Sequence, residues 1–210
     1  MDSVPFQSFN KIARLNRECI ATEKIDGTNG CIYVPEDAGA PMLVGSRSRW
    51  ITPADDNFGF ARWAYEHEAE LRALGSGTHF GEWWGAGIQR RYGLTEKRFS
   101  LFNVARWGDN TPVACSRCKR TEPWTDGPCS YCTMERAPRI ARPACCGVVP
   151  ELARGMDIRE VTERALSILR ECGSIAAPGF PKPEGIVVYH TAASMLFKVT
   201  LEKDSEHKGA

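Results

Sequence analysis

Apolar and polar residues alternate in six short runs, at 30–34, 42–46, 78–83, 98–106, 184–190 and 195–201. A period of two is the pattern of a half-buried strand, so each run predicts one. The segments PEDAGAP and APGFPKP between them carry the proline and glycine that turns require. Two stretches show helical spacing instead. Residues 57–74 follow Asp55-Asp56 and place Phe60, Ala64, His67, Leu71 and Leu74 on one face. His67 on that face reads as a satisfied, partly buried histidine. A second helix is predicted from Asp157, with Glu160 three residues on as a capping box and Val161, Ala165, Ile168, Leu169 and Cys172 on its buried stripe. Strands that do not alternate regularly with helices predict an α+β fold with an antiparallel sheet, not a doubly wound parallel one.

Composition narrows the class. The chain has 210 residues, which predicts one domain, or one domain with an insertion. Hydrophobic residues at 42% and charged residues at 25% exclude a disordered chain. The net charge of +1 excludes a globally basic nucleic-acid coat, though not a local basic patch. No apolar run approaches the ~18 residues of a membrane span. The N-terminus lacks an apolar signal core, so a cytoplasmic, intracellular location without membrane contact is expected.

Nine cysteines are too many to ignore and odd in number, and no secretion signal favours disulfides. Four of them, Cys115, Cys118, Cys129 and Cys132, form C-x2-C-x10-C-x2-C. Two such pairs of thiolates close a zinc tetrahedron, so a structural Zn²⁺ is expected there. The vicinal pair Cys145-Cys146 lies just beyond and could exchange into the site, whereas Cys19, Cys31 and Cys172 read as small core residues. Residues 107–147 have little periodicity and read as a metal-stapled insertion. Between positions 106 and 142 seven basic residues face four acidic ones, with Trp107, Trp124 and Tyr131 interleaved. Positive charge with aromatics suits a nucleic-acid strand.

The chemistry concentrates elsewhere. The segment EKIDGTNG at 23–30 brings Lys24 to the end of an extended stretch, followed by Asp26 and a turn. Downstream stand FGEWWG (80–85), EGIVV (184–188) and FKVT (197–200), each on a predicted strand. A lysine, two glutamates and a second lysine on separate strands suit nucleotidyl transfer. A neutral lysine amine can attack the α-phosphorus of a nucleoside triphosphate, but lysine ordinarily titrates at ~10.4, so neutrality needs a nearby cation or desolvation. Lys198 and a bound Mg²⁺ would supply that field, and glutamates would hold the metal or the ribose hydroxyls. Cationic clamps suit the charge on the transferring phosphoryl group.

Taken together, these motifs resemble the covalent nucleotidyltransferase superfamily of DNA ligases, RNA ligases and mRNA capping enzymes. The resemblance implies an ATP-grasp-like ligase adenylation (nucleotidyltransferase) domain over residues 1–210, with antiparallel sheets, the zinc-knuckle insertion at 107–147, and no C-terminal accessory domain. Lys24-Ile25-Asp26-Gly27 is similar to the family's nucleophile motif. In SRSR at 46–49, Arg47 matches an arginine on the nucleotide ribose and phosphate, with Arg49 as the second choice. Glu82 matches a ribose-binding glutamate, and Phe102 an aromatic that stacks on the purine. Glu184 matches the glutamate that serves the catalytic metal, and Lys198 the lysine that grips the α-phosphate. Asn29 stands where DNA ligases and capping enzymes usually carry arginine. The chain therefore resembles the RNA-ligase branch, and more narrowly ligases that seal nicked duplex RNA. That implies ATP with Mg²⁺ (or Mn²⁺), a lysyl-AMP intermediate, and nicked or single-stranded RNA as partner.

Two features depart from the pattern. Thr200 holds the place of a second lysine in the last motif, unless Lys203 substitutes. The chain also ends about ten residues after that motif, where relatives continue into a further domain; the zinc insertion or an accessory protein would then hold the RNA. Glu23 reads either as part of the base pocket or as a solvated strand residue. Gln89-Arg90-Arg91-Tyr92 reads either as a receiver for a 5′-phosphate or as a solvated loop. His79, His190, Trp83 and Trp84 read as packing residues. The alternatives are a capping-type guanylyltransferase or DNA ligase, and a non-catalytic zinc-containing nucleic-acid-binding protein.

Overall fold

The computed structural model of the protein describes residues 16–108 and 141–202, Ile12, Arg14, and two short strands at 112–114 and 121–123. The cysteine quartet at 115, 118, 129 and 132 and Lys203 lie outside the described residues.

Two antiparallel-rich sheets form the body. The first contains β1 (Cys19–Lys24), β10 (Glu151–Gly155), β11 (Gly185–His190) and β12 (Met195–Thr200), in the order β10-β1-β11-β12. Its pairings are all antiparallel. The second contains β2 (Thr28–Val34), β3 (Leu43–Gly45), β4 (Trp50–Ile51), β5 (Gly77–Gly85), β6 (Lys97–Leu101) and β9 (Cys146–Val148), in the order β4-β3-β2-β5-β6-β9. Only its β6–β9 pairing is parallel. Strands β7 (Pro112–Ala114) and β8 (Thr121–Pro123) pair with each other, within the stretch expected to form an insertion. The predicted α+β class and all six predicted strands are present.

Helix α4 (Ile158–Cys172) covers the first sheet. The Asp157 carboxylate caps it by accepting the N–H groups of Arg159 and Glu160, and Gly173, at φ +74°, ends it. Val161, Ala165, Leu166 and Leu169 bury against Cys19, Ala21, Ile186 and Val188. Cys172, expected in that core, is exposed on the last turn, one residue before the cap.

The stretch 57–74 is not one helix. It divides into α1 (Phe60–Glu66), α2 (Glu68–Leu71) and a 3-10 turn at Arg72–Leu74. Phe58 and Gly59 have φ of +53° and +81°, which no right-handed helix contains, so α1 starts at Phe60 and not at 57. The Phe58 carbonyl is held there by Trp83 Nε1 and Lys97 Nζ. At the second break, His67 leaves helical geometry while its ring bonds the Trp63 carbonyl at 2.8 Å. The buried face, with Phe60, Ala64, Leu71 and Leu74, still packs on the second sheet beside Ile32, Trp83 and Phe99.

The run at 98–106 is a strand only to Leu101. Asn103 then caps α3 (Val104–Trp107) by accepting the Arg106 N–H. Cys146 is buried in the second sheet's core, and its Sγ lies 3.9 Å from that of Cys145. His79 is buried against Trp107 and bonds the Gly75 carbonyl, a packing role. A third apolar cluster, Ile20, Ile25, Trp84, Tyr92, Val104, Val149 and Ala177, joins residues of the two sheets. Among the described residues, no helix is long and apolar enough to cross a membrane.

Candidate active site around Lys24

The chain passes from the first sheet to the second in three residues. Strand β1 ends at Lys24 and β2 begins at Thr28. Ile25 is buried in the cluster that joins the sheets, which pins the turn. Gly27 is required by space: a Cβ would lie 2.4 Å from the Trp83 carbonyl oxygen and 2.8 Å from Trp84 Cβ. Its N–H donates to Glu82 Oε1 at 3.0 Å, and the Asp26 N–H donates to the Tyr92 hydroxyl at 2.7 Å.

Lys24 Nζ lies 2.5 Å from Glu184 Oε1, with both side chains only partly exposed. Glu184 directly precedes β11, and Gly185, at φ +156°, leaves no room for a Cβ, which would lie 2.1 Å from the Val199 carbonyl oxygen. Glu184 Oε2 is buried without a hydrogen-bond partner. Glu82 is 9% exposed, and burial pushes its carboxyl up to about 7. The Lys24 ammonium and the Gly27 N–H oppose that rise, while the charges of Glu184 and Asp26 add to it. Lys24, Asp26, Glu82 and Glu184, picked from three separate motifs, are thus one cluster.

Lys198 belongs to the same face. In the ladder, Thr22, Val187 and Lys198 stand abreast, and Lys24, Gly185 and Thr200 form the rung two residues along. Lys198 is exposed on β12. Phe102 follows β6, is 39% exposed, and donates its N–H to the Phe80 carbonyl. Because Ser100 pairs with Glu82, Phe80 and Phe102 share the sheet face of Glu82.

Two of the expected site residues stand apart from this cluster. Glu23, read as a base-pocket or solvated residue, is 1% exposed and alternates to the opposite side of β1 from Lys24. Its carboxylate accepts the Ser174 hydroxyl at 2.5 Å and the N–H groups of Ile175 and Ala176 at 2.8 Å each. That leaves it to hold the loop after α4, and burial raises its carboxyl despite those bonds. Arg49 is engaged by both oxygens of Asp55, while Arg47 is exposed in the β3–β4 turn, outside the Lys24 network.

Arg90 and Tyr92 of the loop at 89–92 join the cluster, while Gln89 and Arg91 are exposed. Arg90 Nε donates to Asp26 Oδ2 at 3.1 Å, and Tyr92 is buried with its phenol held above the ordinary range by desolvation. The bonds of Tyr92 to the Asp26 N–H and of Ser174 to Glu23 cross long chain separations and have no local sequence signal. Among the described residues, no group of three or more His, Cys, Asp or Glu side chains could hold a metal ion. A cleft of about 450 Å³ is lined by residues that include Trp84, Arg98, Ser100, Cys145 and Ala176 and by none of the four cluster residues.

No curated protein matches the sequence. Among solved structures, a mutant Naegleria gruberi RNA ligase with ATP and Mn shares 17% identity and a TM-score of 0.52, over 90% of this chain and 51% of that one. A second mutant with ATP and Mn gives 17% and 0.51, over 88% and 49%. An apo mutant gives 17% and 0.50, over 92% and 55%. The fold is therefore shared, and the chain spans about half the length of these structures. The family described as RNA ligase matches residues 17–200, and the chain belongs to the RNA ligase family.

Proposed function

We propose that this chain is an ATP-dependent RNA ligase that works through a lysyl-AMP on Lys24. One observation carries the reading: a largely buried lysine, 2.5 Å from Glu184, at the turn where the chain changes sheets and where Glu82 is bonded to the next glycine. Two of the similar Naegleria gruberi structures are RNA ligases with ATP and Mn, which supports ATP as the nucleotide.

In the first step the Lys24 ammonium gives up its proton. The amine lone pair forms the N–P bond to the α-phosphorus, the bond to pyrophosphate breaks, and a second proton leaves the nitrogen. The salt bridge to Glu184 must open first, because it occupies the nitrogen. Lys198, on the same face, is placed to neutralise the α-phosphate, Glu82 to accept from the ribose hydroxyls, and Phe102 to stack on adenine. Asp26 positions the turn through Arg90. Arg47, exposed in the β3–β4 turn, is assigned to the nucleotide ribose and phosphate. AMP then passes to an RNA 5′-phosphate, and an attacking 3′-hydroxyl releases it as the phosphodiester forms. Asn29 favours RNA and the nick-sealing branch.

The unpartnered, buried Glu184 Oε2 suits a hard cation. Mg²⁺ or Mn²⁺ held there would supply positive charge beside Lys24 and the triphosphate, and such ions are ordinarily held by one or two carboxylates plus substrate phosphates. The donor set Cys115, Cys118, Cys129 and Cys132 suits one structural Zn²⁺, whose knuckle, or an accessory protein, would hold the polynucleotide.

The test is incubation with α-labelled ATP or GTP and Mg²⁺, then denaturing electrophoresis. Label from ATP that persists through denaturation is expected. Lys24→Ala should abolish it, and Lys24→Arg should fail as well, because a guanidinium stays protonated. Label remaining on Lys24→Ala, or arising from GTP alone, would overturn the reading.

A further inference from the structure

Arg90 is the most elaborately held cation near Lys24. Its Nε binds Asp26, two residues after the nucleophile, and its Nη1 binds the Lys182 carbonyl at 3.1 Å, two residues before Glu184. The remaining edge of the guanidinium is occupied by Glu202, through Nη1–Oε1 at 3.2 Å and Nη2–Oε2 at 3.0 Å. That is the two-point geometry in which arginine also receives phosphate. Glu202 is 57% exposed, whereas the Arg90 side chain is only 21% exposed. The guanidinium is thus built in, and its carboxylate partner is peripheral.

The loop that carries it is strained. Gln89, Arg91 and Tyr92 have φ of +41°, +59° and +50°, three of the five non-glycine residues with positive φ among those described. Such conformations are unfavourable for residues with a side chain and persist where the surroundings over-determine them. Here the Tyr92 hydroxyl bond to the Asp26 N–H and the Arg90 bond to the Asp26 carboxylate do so. The strain aims Arg90 at the nucleophile turn.

On the rung of Lys24, β12 carries a hydroxyl and no cation, Lys198 standing two residues back. Thr200 stands on the rung of Lys24, with only Gly185 between them. Glu202 follows two residues later. A triphosphate arriving at Lys24 would meet Asp26, Glu82 and Glu184, so it needs positive charge beyond Lys24 and Lys198.

We propose that Arg90 is a phosphate-binding residue of this site, supplying the positive charge that Thr200 cannot, and that Glu202 occupies its outer edge until a phosphate group displaces it. This rests on the reading of Lys24 as a nucleotidyl-transfer site for its setting, but it is measured by binding alone. The phosphate is either the pyrophosphate portion of the nucleotide or the 5′-phosphate of RNA, the two anions the reaction handles.

Titration calorimetry of the full chain with inorganic pyrophosphate and Mg²⁺ forms one arm. The other compares an oligoribonucleotide bearing a 5′-phosphate with its 5′-hydroxyl counterpart. Arg90→Gln should weaken one of these anions roughly tenfold or more, since charge-assisted bonds are lost. Arg90→Lys should recover only part, because a point charge replaces a fork. Glu202→Gln should tighten the same anion, because a neutral amide competes less well for the guanidinium. Loss confined to pyrophosphate assigns the site to the nucleotide; loss confined to the 5′-phosphate assigns it to RNA. A merely structural Arg90–Glu202 strut predicts otherwise, with Glu202→Gln weakening binding as Arg90→Gln does, and that result overturns the proposal. Unchanged binding of both anions by Arg90→Gln overturns it too. Should Arg90→Gln fail to fold, Glu202→Gln decides the matter. An absence of label from ATP in the parent would sink the adenylation reading without touching this one.

Discussion

The Glu82 carboxylate accepts the backbone N–H of Gly27 at 3.0 Å, so the second sheet holds the turn that presents Lys24. The same carboxyl is raised from 4.5 to about 7, chiefly by burial. A raised carboxyl binds a proton in the folded state that the unfolded chain releases. Its contribution is therefore most favourable below pH 4.5 and is lost as pH rises through about 7. The full span is on the order of 3 kcal/mol. Glu82→Gln should flatten the decline in stability between those two values, measured by denaturant unfolding at several pH values. An unchanged slope in the variant would show that Glu82 is not the titrating group.

Glu23 is next in sequence to Lys24 but serves the other side of the sheet. Removing it in Glu23→Ala strips an acceptor from the Ser174 hydroxyl and from two backbone N–H groups. Each unsatisfied donor costs ~1–3 kcal/mol, so a loss of about 3 kcal/mol is expected. For a chain of this size that lowers Tm by roughly 6–12 °C. Ser174→Ala should cost less, since the two backbone bonds to Glu23 survive. If Glu23 lined a base pocket instead, Glu23→Ala would raise the ATP concentration needed for labelling while leaving Tm nearly unchanged.

What could be read from sequence follows a physical division. Strands with one buried face announce themselves by alternation, as at 184–190. Strand β1, central and buried along most of its length, shows no such alternation, and only the extended character of the chain entering Lys24 was legible. The cluster of Lys24, Glu82 and Glu184 was legible because glycines flank it, and the structure gives the reason at Gly27 and Gly185, where a Cβ has no room. The break before Phe60 was not, because left-handed Phe58 is held by Trp83 and Lys97, far along the chain. The Glu23–Ser174 bond spans 151 positions and leaves no local signature.

Phe80, on β5, and Phe102, just after β6, lie on the face of Glu82, both substantially exposed. If Phe102 stacks on adenine, Phe102→Ala should raise the ATP concentration for half-maximal labelling, through loss of a contact worth roughly 1–3 kcal/mol. Phe102→Leu should lose less. Because Phe102 is partly exposed, neither variant should lower Tm appreciably. Unchanged ATP dependence in both would remove Phe102 from the nucleotide site and leave Phe80 as the aromatic to examine.

The cysteine quartet is argued from sequence spacing alone. Two Cys-x2-Cys pairs ten residues apart have the donor chemistry of a closed tetrahedral zinc site, which leaves no open position for catalysis. One zinc per chain should be found by elemental analysis of protein purified without added metal. Cys118→Ser should lower that stoichiometry and destabilise the insertion, because zinc binding is folding free energy for such a segment. Labelling by ATP should survive, since Lys24, Glu82 and Glu184 lie on the two large sheets and in the turns beside them. The basic residues Arg117, Lys119 and Arg120 stand between and just after the first cysteine pair. Replacing all three with alanine should leave zinc and labelling intact, weaken RNA binding, and flatten its dependence on salt, because fewer counterions are released. If the triple variant binds and seals RNA as the parent does, at low and high salt alike, the insertion is a structural staple and the polynucleotide is held by the face around Lys24 or by another protein.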